Sequence, residues 1–117
     1  MNIEDFRSYC LSFSDVEERM PFERFFRGKH HFLAFYVQGK MFCYFDIDKL
    51  DQCSIKCLPE EIEELAATYD SISRPYNSNP KYWISVKFHG DVSDKELMQL
   101  VRLSYEIACN HHKGKIA

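Results

Sequence analysis

Apolar and polar side chains alternate with a period of two across residues 82–88, "YWISVKF". Read as a strand, this stretch sends Tyr82, Ile84, Val86 and Phe88 to one face. Lys81, Trp83, Ser85 and Lys87 then occupy the other face, so the only tryptophan of the chain stands among lysines. The segment 31–47, "HFLAFYVQGKMFCYFDI", reads as a hairpin. Two runs rich in aromatic and β-branched residues flank "QGK", where Gly39 can take the positive φ that tight turns demand. Apolar residues fall on both faces of these two strands, which predicts a sheet covered twice in part, or a face with a partner. "QCSIKC", residues 52–57, predicts a shorter strand.

A period near 3.6 marks three helices. The first runs over residues 3–12, with Asn2 as its cap, Glu4 and Asp5 at its positive end, and Ile3, Phe6, Cys10 and Phe13 at near-helical spacing. The second opens at Pro59, whose missing N–H costs nothing at the first position. Its inward stripe is Ile62, Leu65, Ala66 and Tyr69, and four glutamates load its first turns. The third starts at a capping box of Ser93 and Glu96, with Val92 and Leu97 spaced as a hydrophobic staple. Leu97, Leu100, Val101, Ser104, Ile107 and Ala108 form its stripe. "VEERMPFERFFRGKHH", residues 16–31, reads as extended chain and loop, and "DSISRPYNSNP", residues 70–80, as turns. The expected architecture is α+β: an antiparallel β-sheet with helices packed on it, including N- and C-terminal helices. At 117 residues it forms one domain spanning 1–117.

Composition narrows the classes. With 45% hydrophobic and 15% aromatic residues the chain can fill a core, which excludes a disordered polymer. No segment is long and apolar enough to span a bilayer, and "MNIEDFRSYC" lacks the basic start of a signal peptide. A soluble, cytoplasmic protein is expected, without a membrane partner. The five cysteines, an odd number, then read as reduced, mostly buried residues. A net charge of −3 offers no global attraction to nucleic acid, so any such binding needs a local patch.

Such patches exist. The stretch from Arg19 to His31 holds Arg19, Arg24, Arg27 and Lys29 against Glu23, whereas Glu60, Glu61, Glu63 and Glu64 follow Pro59. Lys81 and Lys87 flank Trp83, and Arg74 precedes them. An aromatic ring ringed by cations suits single-stranded nucleic acid: bases stack on the ring while the cations hold phosphates. Duplex DNA would be gripped through its backbone by "RFFRGKHH". The candidate nucleic-acid-binding residues are therefore Lys81, Trp83, Lys87, Arg24, Arg27 and Lys29. The competing reading buries Trp83 in the core, with its lysines snorkelling past it, and makes the basic loop an ordinary solvated surface. Phe25 and Phe26 either anchor that loop or present an apolar tip. A different function class, a protein-interaction or small-ligand module without a nucleic-acid role, would use the aromatic hairpin and Tyr76.

Catalytic and metal chemistry find little support. There is no glycine-rich phosphate loop, nucleophile elbow or metallohydrolase helix, so a non-enzymatic module is expected. The adjacent pairs His30–His31 and His111–His112 point their rings apart, and Cys53 and Cys57 have no matching second pair. His111, His112 and Lys113 suit the negative end of the last helix. Asp46, Asp48 and Asp51 lack the pattern of a calcium loop. No cofactor or metal is expected.

Several motifs, taken in order, form a recognisable series: "GKMF" at 39–42, "KCLPEE" at 56–61, "RPY" at 74–76, "YWISVKFHGDVSDKEL" at 82–97, and the pair Ser104–Tyr105. Together they resemble the MmcQ/YjbR family of small bacterial proteins over residues from about 15 to 110. The resemblance implies a CyaY/frataxin-like arrangement of sheet and helices and the family's usual label, DNA-binding. By the same analogy, Glu60, Glu61, Glu64 and the nearby aspartates would be where iron could bind. Ser104, on the packing stripe of the last helix, reads as a small residue that permits close approach to the sheet.

Overall fold

A computed structural model of the protein describes residues 1–20, 31–75 and 78–109. Its elements in chain order are α1 (Ile3–Leu11), β1 (Val16–Arg19), β2 (Phe32–Val37), β3 (Lys40–Asp46), β4 (Gln52–Lys56), α2 (Pro59–Thr68), β5 (Ile72–Ser73), β6 (Trp83–Lys87) and α3 (Asp94–Cys109). The strands form one antiparallel sheet in the order β1-β2-β3-β4-β6-β5, and the fold is α+β.

Local chemistry explains the helix starts. Asn2 Oδ1 accepts from the Asp5 amide at 2.8 Å, which caps α1. At α3, Ser93 Oγ accepts from the Glu96 amide at 3.1 Å while Glu96 Oε1 accepts from the Ser93 amide at 3.2 Å, a reciprocal capping box. Val92 and Leu97, the staple, are both buried. Pro59 occupies the first turn of α2.

All three described helices bury their apolar stripes against one sheet face. Phe6 and Cys10 from α1, Ile62 from α2, and Leu97, Val101 and Ala108 from α3 join Phe35, Phe42, Cys43, Phe45, Ile55, Ile84 and Val86 in a single core. Ser104, fully buried on the α3 stripe, donates its one hydroxyl hydrogen between the Lys56 carbonyl at 2.5 Å and the Leu100 carbonyl at 3.0 Å. The small residue thus bonds α3 to β4 as well as letting it close on the sheet. Cys10, Cys43, Cys53 and Cys57 are free and buried, and Cys109 is free and half-buried.

Three segments depart from expectation. Val16–Arg19 is a strand, fixed by pairing with β2 and by a fork from Arg7 to Glu18, whose two contacts measure 2.8 and 2.5 Å. Ile72–Ser73 is a two-residue edge strand, too short for any period to reveal. Its register is held by Asp91, which accepts from the Asp70 and Ser71 amides at 2.8 and 2.9 Å. Gly90 sits so close to Ser71 that a Cβ would lie 1.8 Å from its Oγ. Finally, β6 begins at Trp83 because Asn79 closes a turn before it, accepting from the Lys81 amide with its side chain and from the Tyr82 amide with its carbonyl. Lys81 and Tyr82 therefore precede the strand and do not share its alternation. Arg24, Arg27, Lys29, Phe25, Phe26, His30, Tyr76, His111, His112 and Lys113 lie outside the described residues.

Two predictions follow from these contacts. The β2–β3 turn puts both Gln38 and Gly39 at positive φ, 52° and 76°, and glutamine tolerates that region less well than asparagine. Gln38→Asn is expected to raise stability by about 0.5 kcal/mol in urea unfolding; a loss contradicts the turn assignment. The second concerns acid. Hydrogen bonds from Ser71, then from the Asp70 amide, lower the Asp91 pKa, and the Tyr69 hydroxyl, then Ser93, lowers that of Glu96. Because both folded pKa values are depressed, their stabilisation is complete above the ordinary carboxylate range and is lost as pH falls through the folded values. Asp91→Asn should flatten the acid limb of stability against pH below about pH 4; an unchanged limb contradicts it.

Candidate functional site

The opposite sheet face carries a second, smaller cluster to which no described helical residue contributes: Phe32, Ala34, Tyr44 and Trp83, with Tyr36 and Met41 packed against it. Its origin is a bulge. Phe35 pairs with Cys43 but Tyr36 pairs with Met41, so Phe42 is an extra residue in β3. Phe42 and Cys43 consequently both face the helices, whereas Met41 and Tyr44 share the opposite face.

Trp83 lies on this face, as the alternation of β6 requires, but it is only 8% exposed. Its ring packs against Tyr44 at 5.5 Å, and Lys56 Nζ stands 6.0 Å from its centroid. Tyr44 in turn donates to Ser78 Oγ at 2.9 Å. The indole is therefore sealed by an aromatic neighbour and a lysine, and cannot act as an open stacking platform. Lys56 is half-buried here, and that desolvation, followed by repulsion from Lys40, lowers its pKa.

The rings that do reach solvent lie beside it. Strand registers place Tyr36, Met41, Lys56 and Trp83 at one end of the sheet, and the bond from the Cys57 amide to the Tyr82 carbonyl adds Tyr82 there. Tyr36 is partly exposed and has the Arg19 guanidinium 4.9 Å from its centroid. Tyr82 is 45% exposed, with Lys81 Nζ at 5.6 Å. Lys81 also joins Arg74, Pro59, Ile62 and Pro80 around an open hollow of about 330 Å³. Three cation–aromatic pairs thus string along this end: Arg19–Tyr36, Lys56–Trp83 and Lys81–Tyr82. Each is worth about 0.5–1 kcal/mol at an exposed site. Glu17 pairs with Arg19 at 2.7 Å and offsets part of its charge.

Among the residues expected to form a basic–aromatic surface, the structure brings Lys81 and Trp83 together but not Lys87. Lys87 pairs with Gln52 at the far end of β6, about 13 Å along the strand from Trp83. Arg19, Tyr36, Lys40, Lys56 and Tyr82 complete the cationic end. Sequence reading missed this grouping because the residues come from four strands and a turn. The one signal for it was the apolar character of both faces of the hairpin.

Other reactive groups are tied into structure. Burial, reinforced by Glu61, pushes the Cys57 thiol up to about 11, and burial with Cys109 pushes the Tyr105 phenol to about 12. The Tyr105 hydroxyl donates to the Ser14 carbonyl at 2.7 Å, tying α3 to the start of β1. Among the described residues no three of His, Cys, Asp or Glu converge as metal ligands, and no helix is long and apolar enough to cross a membrane.

The packing of Trp83 predicts its spectroscopy. Acrylamide should quench the single tryptophan poorly in the folded protein and freely in urea, and the folded emission should be blue-shifted. Equal quenching in both states would contradict the sealed indole.

The family model described as YjbR matches residues 11–107. A crystal structure of Deinococcus radiodurans protein DR2400, with the domain DUF419, is similar at 31% identity and a TM-score of 0.78, over 89% of this chain and 75% of that one. A crystal structure of a Pseudomonas syringae protein shares the fold at 22% identity and a TM-score of 0.73, over 92% of this chain and 99% of that one. A solution structure from the same organism matches at 22% identity and a TM-score of 0.68, over 92% and 93% of the two chains. No curated protein matches the chain.

Proposed function

The chain belongs to the YjbR family, and we propose that it is a non-enzymatic binding module that holds single-stranded nucleic acid on the cationic end of the sheet face opposite α1, α2 and α3. One observation carries this reading: three cations stand against aromatic rings along a single end of the sheet, two of those rings reaching solvent. Single strands need that combination, because each base presents a π-face to a ring while the next phosphate requires a cation within a few ångströms. A chain of net charge −3 binds a polyanion only where cations are concentrated, and here Arg19, Lys56 and Lys81 stand against aromatic rings while Lys40 is near enough to Lys56 to lower its pKa. In this reading Tyr82 and Tyr36 stack bases, Lys81 and Lys40 contact phosphates, and Trp83 with Tyr44 forms the rigid floor beneath them. Duplex is the poorer ligand, since its bases are already stacked on one another and offer no free π-face to a tyrosine ring.

Fluorescence anisotropy with a labelled single-stranded oligonucleotide tests this. Saturable, salt-sensitive binding is expected. Lys40→Gln combined with Lys81→Gln changes two exposed residues, and should reduce the slope of log K against log salt by about 1.4. Tyr82→Ala should cost about 1–3 kcal/mol. Absence of binding at low salt, or a double variant that binds like the parent, overturns the proposal.

A further inference from the structure

We propose that the groove between α2 and α3 docks a basic amphipathic helix of a partner protein. The groove belongs to the helical layer, away from the cationic strip, and its role does not depend on the nucleic-acid reading. Leu58 and Leu65 line it from the α2 side, and Leu100, Leu103 and Ile107 from α3. Leu58 and Leu103 remain 37% and 42% exposed.

Folding alone does not explain either leucine. Leu58 is the N-cap of α2, a position that favours Ser, Thr, Asp or Asn, whose side-chain oxygen accepts from an open amide of the first turn. Leu58 makes no such bond, so the helix forgoes that stabilisation in favour of an apolar side chain left partly in water. Leu103 keeps its exposure although Leu100 and Ile107, one turn to either side, are half-buried.

The depth of the groove rules out a small molecule. It has room for about 10 Å³, close to one water-sized sphere, whereas ligand pockets hold about 300–1,000 Å³. What fits is a row of side chains laid along the apolar surface. Leu103 and Ile107 are one helical turn apart on α3, a spacing that matches a helix presenting apolar residues at i, i+3, i+4 and i+7.

Charge selects the partner. Glu60, Glu61, Glu63 and Glu64 form no ion pair among the described residues. Glu61 lines the groove itself, and after burial its charge is the main cause that lifts the neighbouring Cys57 thiol. Lys56 also lines the groove, but its ammonium stands 6.0 Å from the Trp83 ring centroid and pairs with none of these carboxylates. On α3, Arg102 is already paired with Glu106 at 3.3 Å. A polyanion or an anionic lipid surface is therefore repelled here. A second copy docked through the same groove would set the four glutamates against their own counterparts. A helix with apolar residues on one face, flanked by lysines or arginines, satisfies both the leucine row and the unpaired carboxylates.

The probe is a synthetic helical peptide of leucine and lysine, about 18 residues long, with its leucines on one face. It is titrated into the full chain and followed by leucine and isoleucine methyl shifts. Saturable shifts are expected at Leu58, Leu65, Leu100, Leu103 and Ile107, and none with the same peptide carrying glutamate for every lysine. Leu103→Ser changes an exposed side chain and should weaken the lysine peptide by about 5-fold. Glu61→Gln combined with Glu64→Gln should weaken it by about 3-fold and flatten its salt dependence. No saturable shift at these methyls, or equal binding of the glutamate peptide, overturns the proposal. So does a double variant with the parent's salt dependence, or self-association of the chain through the same leucines. A contact from Ile116 to Leu103 in the free chain overturns it too, because residues 110–117 would then fill the groove.

Discussion

The second sheet face, opposite α1, α2 and α3, depends on one extra residue in β3. In an uninterrupted strand Phe42 would stand beside Tyr44, and Met41 would face the helices with Cys43 and Phe45. The bulge opposite Phe35 and Tyr36 turns Phe42 inward with Cys43. Phe42 then fills the core against Phe13, Phe35 and Tyr105. Met41 and Tyr44 are left three residues apart on the other face, one beside Tyr36 and the other beneath Trp83. Two hydrophobic clusters of unequal size result. The larger holds the helices; the smaller floors a surface with no described helix on it.

That division explains how an anionic chain acquires a cationic end. The glutamates of α2 sit on the helical side of the sheet, at Glu60, Glu61, Glu63 and Glu64, while Lys56 and Arg19 project from strands toward the other. Strand alternation therefore separates charge that the linear sequence only partly separates. The same alternation puts Gln52, Ser54 and Ser85 at the opposite end with Asp46 and Asp51, so the two ends of one face carry different side chains. The Lys56 ammonium, depressed in pKa by its partial burial, sits over the indole that floors the strip.

Much of this architecture was legible in advance, because it rests on local rules. Asn2, Pro59 and the Ser93–Glu96 box mark helix starts through hydrogen bonds made within a turn. Gly39 marks the hairpin through its positive φ. The site was less legible. Trp83 was correctly assigned to the lysine-bearing face of β6, yet its exposure is decided by Tyr44, thirty-nine residues away, and by Lys56 on the neighbouring strand. Lys81 looked like part of the strand because period-two alternation does not register the side chain of Asn79, which ends the preceding turn. The bulge leaves no glycine or proline behind; its trace was the run Met41–Phe42–Cys43–Tyr44–Phe45, too uniformly apolar for one-sided burial.

The proposed binding puts ligand on the cationic end of the sheet face opposite α1, α2 and α3 rather than on those helices. Backbone amide shifts recorded while a single-stranded oligonucleotide is added at low salt test it most directly. The account predicts that the largest changes fall on Arg19, Tyr36, Lys40, Lys56, Lys81 and Tyr82, with α2 and the outer face of α3 unmoved. Shifts concentrated on the helices, or no shifts at all, would contradict it.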